Sequence, residues 1–395
     1  MNSVLEVGFI VSLAIVAYGY IGYPILLGVL SAILGRPVFK AEITPTVSLV
    51  IAAYNEEKDI AAKIENALAL DYPADRLEII VASDGSTDRT CEIVQSYSGR
   101  VILYNSSQRL GKTSAQNRAA SVATGQIIVF SDATTEYDPS SIRKLVQSFA
   151  DPSVGCVAGR LVYTDRAGSA VGAGCISYWN YENVLKVNES RLSSLIGVSG
   201  CMYAVRRSSY NQLGRWLSSD FVIAAEMRML SLRTVHEPNA VCYEETNRAA
   251  NNEFRMRVRV IEQTLTALAF YRPLLNPFRH GLFAIQMISH KPIRYAAPWF
   301  LALAFVLNIP LSRWSAVFAL TMAMQGAFYV LAAVGLALER LGLKQRLLSL
   351  PAYFVLTNAA AVAGMVKYLQ GESHVVWEPV RDGGNKNAIL SSSIQ

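Results

Sequence analysis

The stretch TVSLVIAAYN (46–55) is a β-branched apolar run that ends in a turn residue, which predicts a buried strand. Three runs of the same character follow it: LEIIVAS (77–83), RVILYN (100–105) and QIIVFSDA (126–133). The segments that follow the strands predict helices at 57–70, 87–97, 113–124 and 139–150. Strands that are apolar throughout and alternate with helices predict an α/β fold that is Rossmann-like. Its sheet is mostly parallel, with helices on both faces.

Polar residues stand where three of these strands end. Asn55, Asp84 and Asp132 occupy these positions. Ligands of open α/β sheets bind at the carboxyl ends of the strands, so the pattern predicts a binding site at this edge. Each residue alone is also explained by a turn or a helix cap, because Asn and Asp favour both.

Apolar segments flank this polar region. The first 36 residues carry only two charged side chains, Glu6 and Arg36. Residues 7–34 are uncharged and long enough to cross a bilayer, whereas a cleaved signal peptide would need a basic residue before its apolar core. Further candidate spans lie at 296–311, which is short, and at 314–338 and 347–369.

We therefore expect five parts in the chain. They are an N-terminal transmembrane helix (1–36), a polar domain (37–270), an interfacial amphipathic segment (271–295), about three C-terminal transmembrane helices (296–370) and a tail (371–395). The basic loop at 339–346 predicts that this loop and the polar domain face the cytoplasm, in a multi-pass protein of the plasma (inner) membrane. In the amphipathic segment Arg272, Arg279, Lys291 and Arg294 are expected at headgroup level, although an ordinary connector would carry the same pattern.

Composition disfavours several functions. The net charge of +6 comes with basic residues beside the spans, where anionic lipid explains them, so no nucleic-acid partner is expected. The five cysteines form no CxxC pair and predict reduced thiols in a cytosolic domain. Gly-Lys-Thr at 111–113 is not a P-loop, because Ser106 stands where the first glycine is required.

The strands and helices belong to longer motifs. These are VSLVIAAYNEE (47–57), EIIVASDGSTDRT (78–90), GKTSAQNRA (111–119), IIVFSDATT (127–135), GVSGCMYAVRR (197–207) and SSDFVIAAEM (218–227). Together they resemble the family 2 glycosyltransferases with the GT-A fold, over about residues 45–265. With its flanking spans the chain is similar to the membrane-embedded branch of cellulose, hyaluronan and poly-N-acetylglucosamine synthases. The resemblance implies a cytosolic GT-A domain that binds a nucleotide-diphosphate sugar, with a UDP-sugar expected.

The resemblance also implies which residues bind the donor. The matching positions are Ala53, Tyr54, Glu56, Asp84, Lys112 and Asp132. The family's metal motif, Asp-x-Asp, falls on Asp132-Ala133-Thr134, so its second carboxylate is missing. A divalent cation, Mg²⁺ or Mn²⁺, is implied with Asp132 as its ligand. Thr134, Thr135 or Glu136 would then take the place of the missing carboxylate.

Two further residues are assigned through the resemblance. Asp220 matches the catalytic base, which takes the proton of the acceptor hydroxyl, while an exposed helix cap explains the same residue type. Processive members carry Gln-x-x-Arg-Trp, and the matching stretch 256–260 keeps only Arg259. We place Arg259 in the donor site and leave Arg255 and Arg257 undecided, the alternative being a basic face near anionic lipid.

These observations predict a membrane-bound, inverting glycosyltransferase that acts on a lipid, lipid-linked or glycan acceptor at the cytoplasmic face. We expect membrane lipids to surround the protein, and the sequence does not decide whether it forms a homo-oligomer. One alternative is a processive polysaccharide synthase coupled to export, and another is a silent scaffold, which the missing second Asp suggests. Sugar selectivity is expected from loops such as 160–195, where Trp179 and Tyr181 offer stacking faces.

Overall fold

The computed structural model describes residues 2–165, 169–246, 249–341, 343 and 346–371. Its strands are β1 Val47–Ala53, β2 Leu77–Ser83, β3 Ile102–Asn105, β4 Ile127–Asp132, β5 Glu136–Tyr137, β6 Val154–Thr164, β7 Met202–Arg206 and β8 Arg233–Glu245. Its α-helices are α1 Asn2–Ala17, α2 Tyr23–Leu34, α3 Ile60–Leu68, α4 Thr90–Gln95, α5 Lys112–Val122, α6 Ser141–Gln147, α7 Ala170–Leu192, α8 Ser219–Met229, α9 Ala250–Phe270, α10 Pro277–His280, α11 Leu282–His290, α12 Pro292–Leu311, α13 Ala316–Arg340 and α14 Ser349–Leu369.

The strands form one sheet in the order β3-β2-β1-β4-β7-β6-β8-β5. The strands β1 to β4 pair in parallel, which confirms the predicted α/β class. In the other half β7 runs antiparallel to β4 and β6, while β8 runs parallel to β6. The sequence patterns predicted only the parallel half of this sheet.

The register brings the polar strand ends together, as predicted. Ala53 pairs with Ser83, and Ala52 pairs with Asp132, so β1, β2 and β4 end at the same edge of the sheet. Every residue of β1 is buried, because side chains that alternate along the strand enter the helix layers on both faces. This edge therefore rests on a rigid core.

The segment 160–195 is not the loop that was expected. It contains the end of β6 and the 23-residue helix α7, whose first turn is capped by Ser169. Trp179 packs against Tyr163 with ring centroids 5.4 Å apart, and the Tyr181 hydroxyl donates to the Tyr20 carbonyl at 3.1 Å. Both aromatic residues thus lie on α7, so the expectation of a loop at 160–195 was wrong, and their part in sugar selectivity stays a prediction.

Four helical stretches in the described residues are long and apolar enough to cross a membrane: Ser3–Leu34, Leu282–Leu311, Ala316–Arg340 and Ser349–Leu369. The first contains a π-helical turn at Tyr18–Gly22, just before Pro24. The second is longer than the expected 296–311, because α11 and α12 follow each other with only Lys291 between them. Except for Gly371, the expected tail lies outside the described residues.

The expected single amphipathic helix at 271–295 is instead a series of short helices. A 3-10 turn at Arg272–Leu275 is followed by α10, α11 and the start of α12, with Gly281 at a φ of +56° between α10 and α11. Leu274 and Phe283 are fully buried against the domain. Arg294 is only 8% exposed and pairs with Glu182 at 2.6 Å, so its guanidinium is held inside the protein, and its expected place at headgroup level stays a prediction. Its partner precedes it by 112 residues, which no local pattern reveals.

Candidate active site

Asp84, at the end of β2, anchors the loop before α5. Its carboxylate accepts hydrogen bonds from the backbone N–H groups of Leu110 at 3.0 Å and Gly111 at 2.7 Å. The Arg118 guanidinium adds a contact at 3.3 Å. Because Asp84 is only 5% exposed, its first role is to hold this loop, and its contact with a nucleotide stays a prediction.

The turn after β1 is held against the turn after β2. Asn55 has a φ of +53°, which is unusual for a residue with a side chain, and its Oδ1 accepts from the Thr87 N–H at 2.8 Å. The Thr90 hydroxyl accepts from the Glu56 N–H at 2.7 Å. The helix predicted at 57–70 begins only at Ile60, because the residues just before Ile60 belong to the turn after β1.

The three donor-site residues predicted from this turn differ in exposure. Ala53 and Glu56 are buried, whereas Tyr54 is half-buried beside the loop before α5. The guanidinium of Arg109 lies 3.8 Å from the centre of the Tyr54 ring. Arg109 was missed, because the contact joins two loops that are distant in sequence. The pair forms a flat cationic and aromatic surface of the kind that stacks on a nucleobase.

Three charged groups converge on Gly200. The Lys112 ammonium forms an ion pair with Asp132. A Cβ atom placed on Gly200 would lie 2.9 Å from Lys112 Nζ, 3.6 Å from Asp220 Oδ2 and 3.8 Å from Asp132 Oδ2. The strand-end carboxylate, the motif lysine and the predicted base therefore surround one point, where glycine leaves room.

Asp220 lies in the first turn of α8 with its two oxygens in different surroundings. Its Oδ1 accepts from the Ser218 hydroxyl and from the Phe221 N–H, the latter at 2.9 Å. Its Oδ2 faces Gly200 and Lys112. The carbonyl of Asp220 also accepts from the Val198 N–H at 2.8 Å. A helix cap accounts for Oδ1 only, so the geometry favours the predicted base over the cap alone.

Helix α5 ties these parts to one another. Besides Lys112 and Arg118, its Thr113 hydroxyl donates to the Leu217 carbonyl at 2.8 Å. Asn117 donates to the Leu213 carbonyl at 2.7 Å and accepts from the Leu213 N–H at 3.0 Å. Of the residues on this helix, only Lys112 was predicted from the sequence to lie in the site. These polar residues recur at helical spacing, and this was the signal that the sequence offered for them. Their partners could not be identified from it, because they lie about 100 residues away in the chain.

The electrostatics of the cluster follow from burial and charge. Burial lowers the pKa of Lys112, but Asp132 and Asp220 outweigh burial and raise it, so the ammonium stays charged. Burial, and then the charge of Asp132, raise the pKa of Glu244, which was also missed. Glu244 accepts from the Thr134 hydroxyl at 3.4 Å and from the Cys201 thiol at 3.0 Å.

A divalent cation would find few carboxylate ligands at this site. Within the described ranges no group of three or more His, Cys, Asp or Glu side chains is arranged to hold a metal ion. Asp132 is 18% exposed, and Glu244 is the nearest described acid to the Thr134 hydroxyl. Mg²⁺ or Mn²⁺ would therefore take most of its ligands from donor phosphates and water.

Arg259 lies half-buried on α9, and its assignment to the donor site stays a prediction. Its neighbour Arg257, which the sequence left undecided, lines a cavity between the domain and the spans. The expected free thiols are confirmed for all five cysteines, four of which are buried.

Comparison with known proteins agrees with this architecture. Residues 48–214 match the family model of glycosyl transferase family 2. Poly-beta-1,6-N-acetyl-D-glucosamine synthase of Staphylococcus aureus is 23% identical over 231 residues, covering 57% of this chain and 56% of that protein. The enzyme of the same name from Staphylococcus epidermidis is 23% identical over 220 residues, covering 54% and 53%. The chain thus spans about half the length of these relatives.

A solved structure resembles most of the chain. It is a mannosyltransferase from Pyrobaculum calidifontis in complex with GDP-Man and Mn²⁺, with a TM-score of 0.71 and 23% identity, covering 92% of this chain and 99% of that one. This likeness establishes the GT-A fold. The chain thus combines this fold with a segment, residues 48–214, that matches glycosyl transferase family 2.

Proposed function

We propose that the protein is an inverting glycosyltransferase, which moves a sugar from a nucleotide-diphosphate sugar to a lipid-borne acceptor at the membrane surface. The observation that supports this most is the convergence of Lys112, Asp132 and Asp220 on Gly200. The Asp220 carboxylate, which can accept a proton, and the Lys112 ammonium, which is held in place, therefore lie next to the same small space at Gly200.

Asp220 would act as the base. Oδ1 is held by the Ser218 hydroxyl and the Phe221 N–H, so Oδ2 is presented in a fixed orientation. It takes the proton of the acceptor hydroxyl as that oxygen bonds to the anomeric carbon of the donor. The bond from this carbon to the diphosphate oxygen breaks, the diphosphate leaves with the electron pair, and the configuration at the carbon inverts.

Lys112 would stabilise the departing diphosphate, because its charge is maintained by Asp132 and Asp220. A divalent cation, when bound at Asp132, would neutralise further charge on the phosphates. The Arg109–Tyr54 surface would receive the nucleobase, and the motif positions Glu56 and Asp84 would shape the nucleotide pocket. The domain would face the cytoplasm, in the plasma (inner) membrane, where the basic residues next to the spans favour it.

A processive polysaccharide synthase is the second candidate. It is supported by the match to relatives named poly-beta-1,6-N-acetyl-D-glucosamine synthase, although the match covers about half of their length. In the described spans, Asn308, Thr321 and Gln325 bond to one another, so these polar groups satisfy each other rather than line an open path. The length of the product separates the two candidates.

The test uses the full chain purified in detergent with added membrane lipid extract. UDP- and GDP-sugars, beginning with UDP-N-acetylglucosamine and GDP-mannose, are supplied with and without Mn²⁺, and labelled products are separated by size. We expect one donor to give a short, lipid-extractable product, and we expect Asp220→Asn to abolish it. Products of high molecular weight would favour the synthase. Binding of a donor without any transfer would contradict the proposed activity.

A further inference from the structure

A cavity of about 340 Å³ lies between the domain and the spans. Its walls come from α7 and α9 of the domain, from the α11–α12 junction and from α14, with Tyr20 of the N-terminal helix closing one side. One face of α7 packs on the sheet, where Asn183 donates to the Leu161 carbonyl at 3.1 Å, and another face lines the cavity. The cavity is therefore one helix away from the sheet that carries the active site.

The lining is basic. Arg257, His290, Lys291 and Arg294 contribute to it, and no Asp or Glu does so within the described part of the chain. Five tyrosines line the cavity as well, among them Tyr178, whose ring centre is 4.5 Å from the Arg257 guanidinium and 5.4 Å from that of Arg294. Guanidinium groups offer only hydrogen-bond donors, and phenol groups can donate as well as accept.

The acids that balance these cations stand behind the lining. Glu253, which is 1% exposed, accepts from Arg257 Nε at 2.8 Å. Glu182 accepts from Arg294 at 2.6 Å and contacts His290 at 3.1 Å. These acids fix the two guanidinium groups from the rear, and Arg257 also donates to the Tyr353 hydroxyl, so both arginines are held in place at the cavity wall.

One ammonium in the lining has no close partner. The Lys291 side chain forms no ion pair within 4 Å and no hydrogen bond with any residue that the structure describes, whereas Arg257 and Arg294 each pair with an acid. The lining thus contains an ammonium that is available to an anion. In addition, the Asn358 Oδ1 atom is buried without a hydrogen-bond partner among the described residues, although Asn358 lines the cavity. A hydroxyl on the ligand would satisfy it.

We propose that this cavity binds the phosphate-bearing head group of the lipid acceptor. Arginine forks match phosphate oxygens, and the Phe354 and Ile261 side chains of the same lining suit the first methylene groups of a lipid tail that enters between the spans. The inference rests on the proposed function, since it names the chemical class of the acceptor. It assigns Arg257 and Lys291 a part in acceptor binding.

Binding is measured on the full chain in detergent with four probes. Farnesyl phosphate should bind, and farnesol, which has the same tail without the phosphate, should bind at least about tenfold more weakly. Inorganic phosphate at the same concentration should not displace farnesyl phosphate, and dioleoyl phosphatidic acid tests whether an acyl tail serves equally. Equal binding of farnesol, or displacement by inorganic phosphate alone, would overturn the proposal.

Two variants locate the site. Lys291→Met leaves no buried acid unpaired and should weaken farnesyl phosphate binding by about 10- to 100-fold. Arg257→Lys keeps the charge beside Glu253 but loses the fork, and about a tenfold loss is expected. Arg313→Met, an exposed basic residue at the other end of α12, is the matched control and should bind farnesyl phosphate like the wild type. Unchanged binding in both cavity variants would refute the site.

Nucleotide binding is recorded in every sample, which separates the two failures. Sugar transfer to lipid extract with no binding of farnesyl phosphate would refute the cavity and leave the proposed function intact. Binding of farnesyl phosphate at Lys291, with no sugar transfer from any donor, would support the cavity as a lipid-phosphate site and contradict its role as an acceptor site.

Discussion

The strand edge and the cavity between the domain and the spans are built with opposite charges. At the strand edge, two acids that face the same point, Asp132 and Asp220, surround one ammonium, that of Lys112. In the cavity, basic residues such as Arg257 and Arg294 form the lining, and the acids stand behind them. Acids at the strand edge suit proton transfer, whereas cations in the cavity suit an anion.

The two regions also differ in how their residues are supplied. The strand-edge residues come from short motifs that end strands or begin helices, so each is visible in a window of about ten residues. The cavity residues come from elements as far apart as Tyr20 and Asn358. Local motifs therefore encode the reaction site, and only the assembled helices produce the cavity. The following variants test whether the regions are separate.

Asp220→Asn should have the largest effect. The amide cannot accept the acceptor proton, so transfer should fall by about 10²- to 10⁴-fold while farnesyl phosphate binding is retained. Rates of sugar transfer and probe binding are measured on the same preparation. Asp75→Asn, at an exposed position in the Ala74–Arg76 turn, serves as the control and should behave as the wild type. Near-normal transfer by Asp220→Asn would remove Asp220 from the role of base.

Glu182→Gln, a change behind the cavity lining, should destabilise the folded protein. Burial raises the pKa of Glu182, but His290 and Arg294 outweigh burial and hold it well below its usual range, so the carboxylate is charged when folded. Loss of one partner of a buried pair costs about 3 kcal/mol. A clear fall in melting temperature in detergent is expected. The control is Glu92→Gln, because the Arg89–Glu92 pair is about two-thirds exposed and its loss should leave the melting temperature unchanged.

Lys112→Met should weaken donor binding by about 10- to 100-fold, because it removes the fixed cation beside the diphosphate. Titration with the donor measures this, and farnesyl phosphate binding should not change. Lys144→Met, on α6, provides a lysine control away from Gly200. Loss of farnesyl phosphate binding in Lys112→Met would show that the two regions are one site.

Replacement of Lys63 should have the smallest effect, which is a change in the free energy of unfolding that depends on pH. Burial lowers its pKa from 10.5 to about 7, and its ammonium donates to the Thr135 carbonyl at 2.6 Å. Between pH 10.5 and 7 the unfolded chain takes up this proton before the folded chain does, so the contribution of Lys63 to stability increases as the pH rises through that range.

The measurement is the difference in unfolding free energy between the wild type and Lys63→Met as a function of pH. We expect this difference to shift in favour of the wild type by about 1 kcal/mol from pH 7 to pH 8. The substitution Lys58→Met, at an exposed position in the turn before α3, should leave a flat difference. A flat difference for Lys63→Met as well would show that its pKa is ordinary.

Prediction from sequence succeeded where the physics is local. The parallel half of the sheet was predicted from continuous apolar runs. The grouping of polar residues at its edge was predicted because ligands of such sheets bind at the carboxyl ends of the strands. It failed at 160–195, which forms a strand and a helix, and at 271–295, where Gly281 and several short helices replace one amphipathic helix. It also missed Glu244 and Arg109, because their partners are remote in sequence.

By itself the sequence determined the fold class, the apolar stretches and the identity of the residues at the strand edge, because hydrophobic periodicity and turn chemistry act over a few residues. The tertiary structure alone decided which charges meet. The approach of Asp220 to Lys112, the bonds from α5 to the loop at 213–217 and the basic lining around Lys291 all join segments that are separate in the sequence. Electrostatic partners are set by distance in space, and only packing of the whole chain determines that distance.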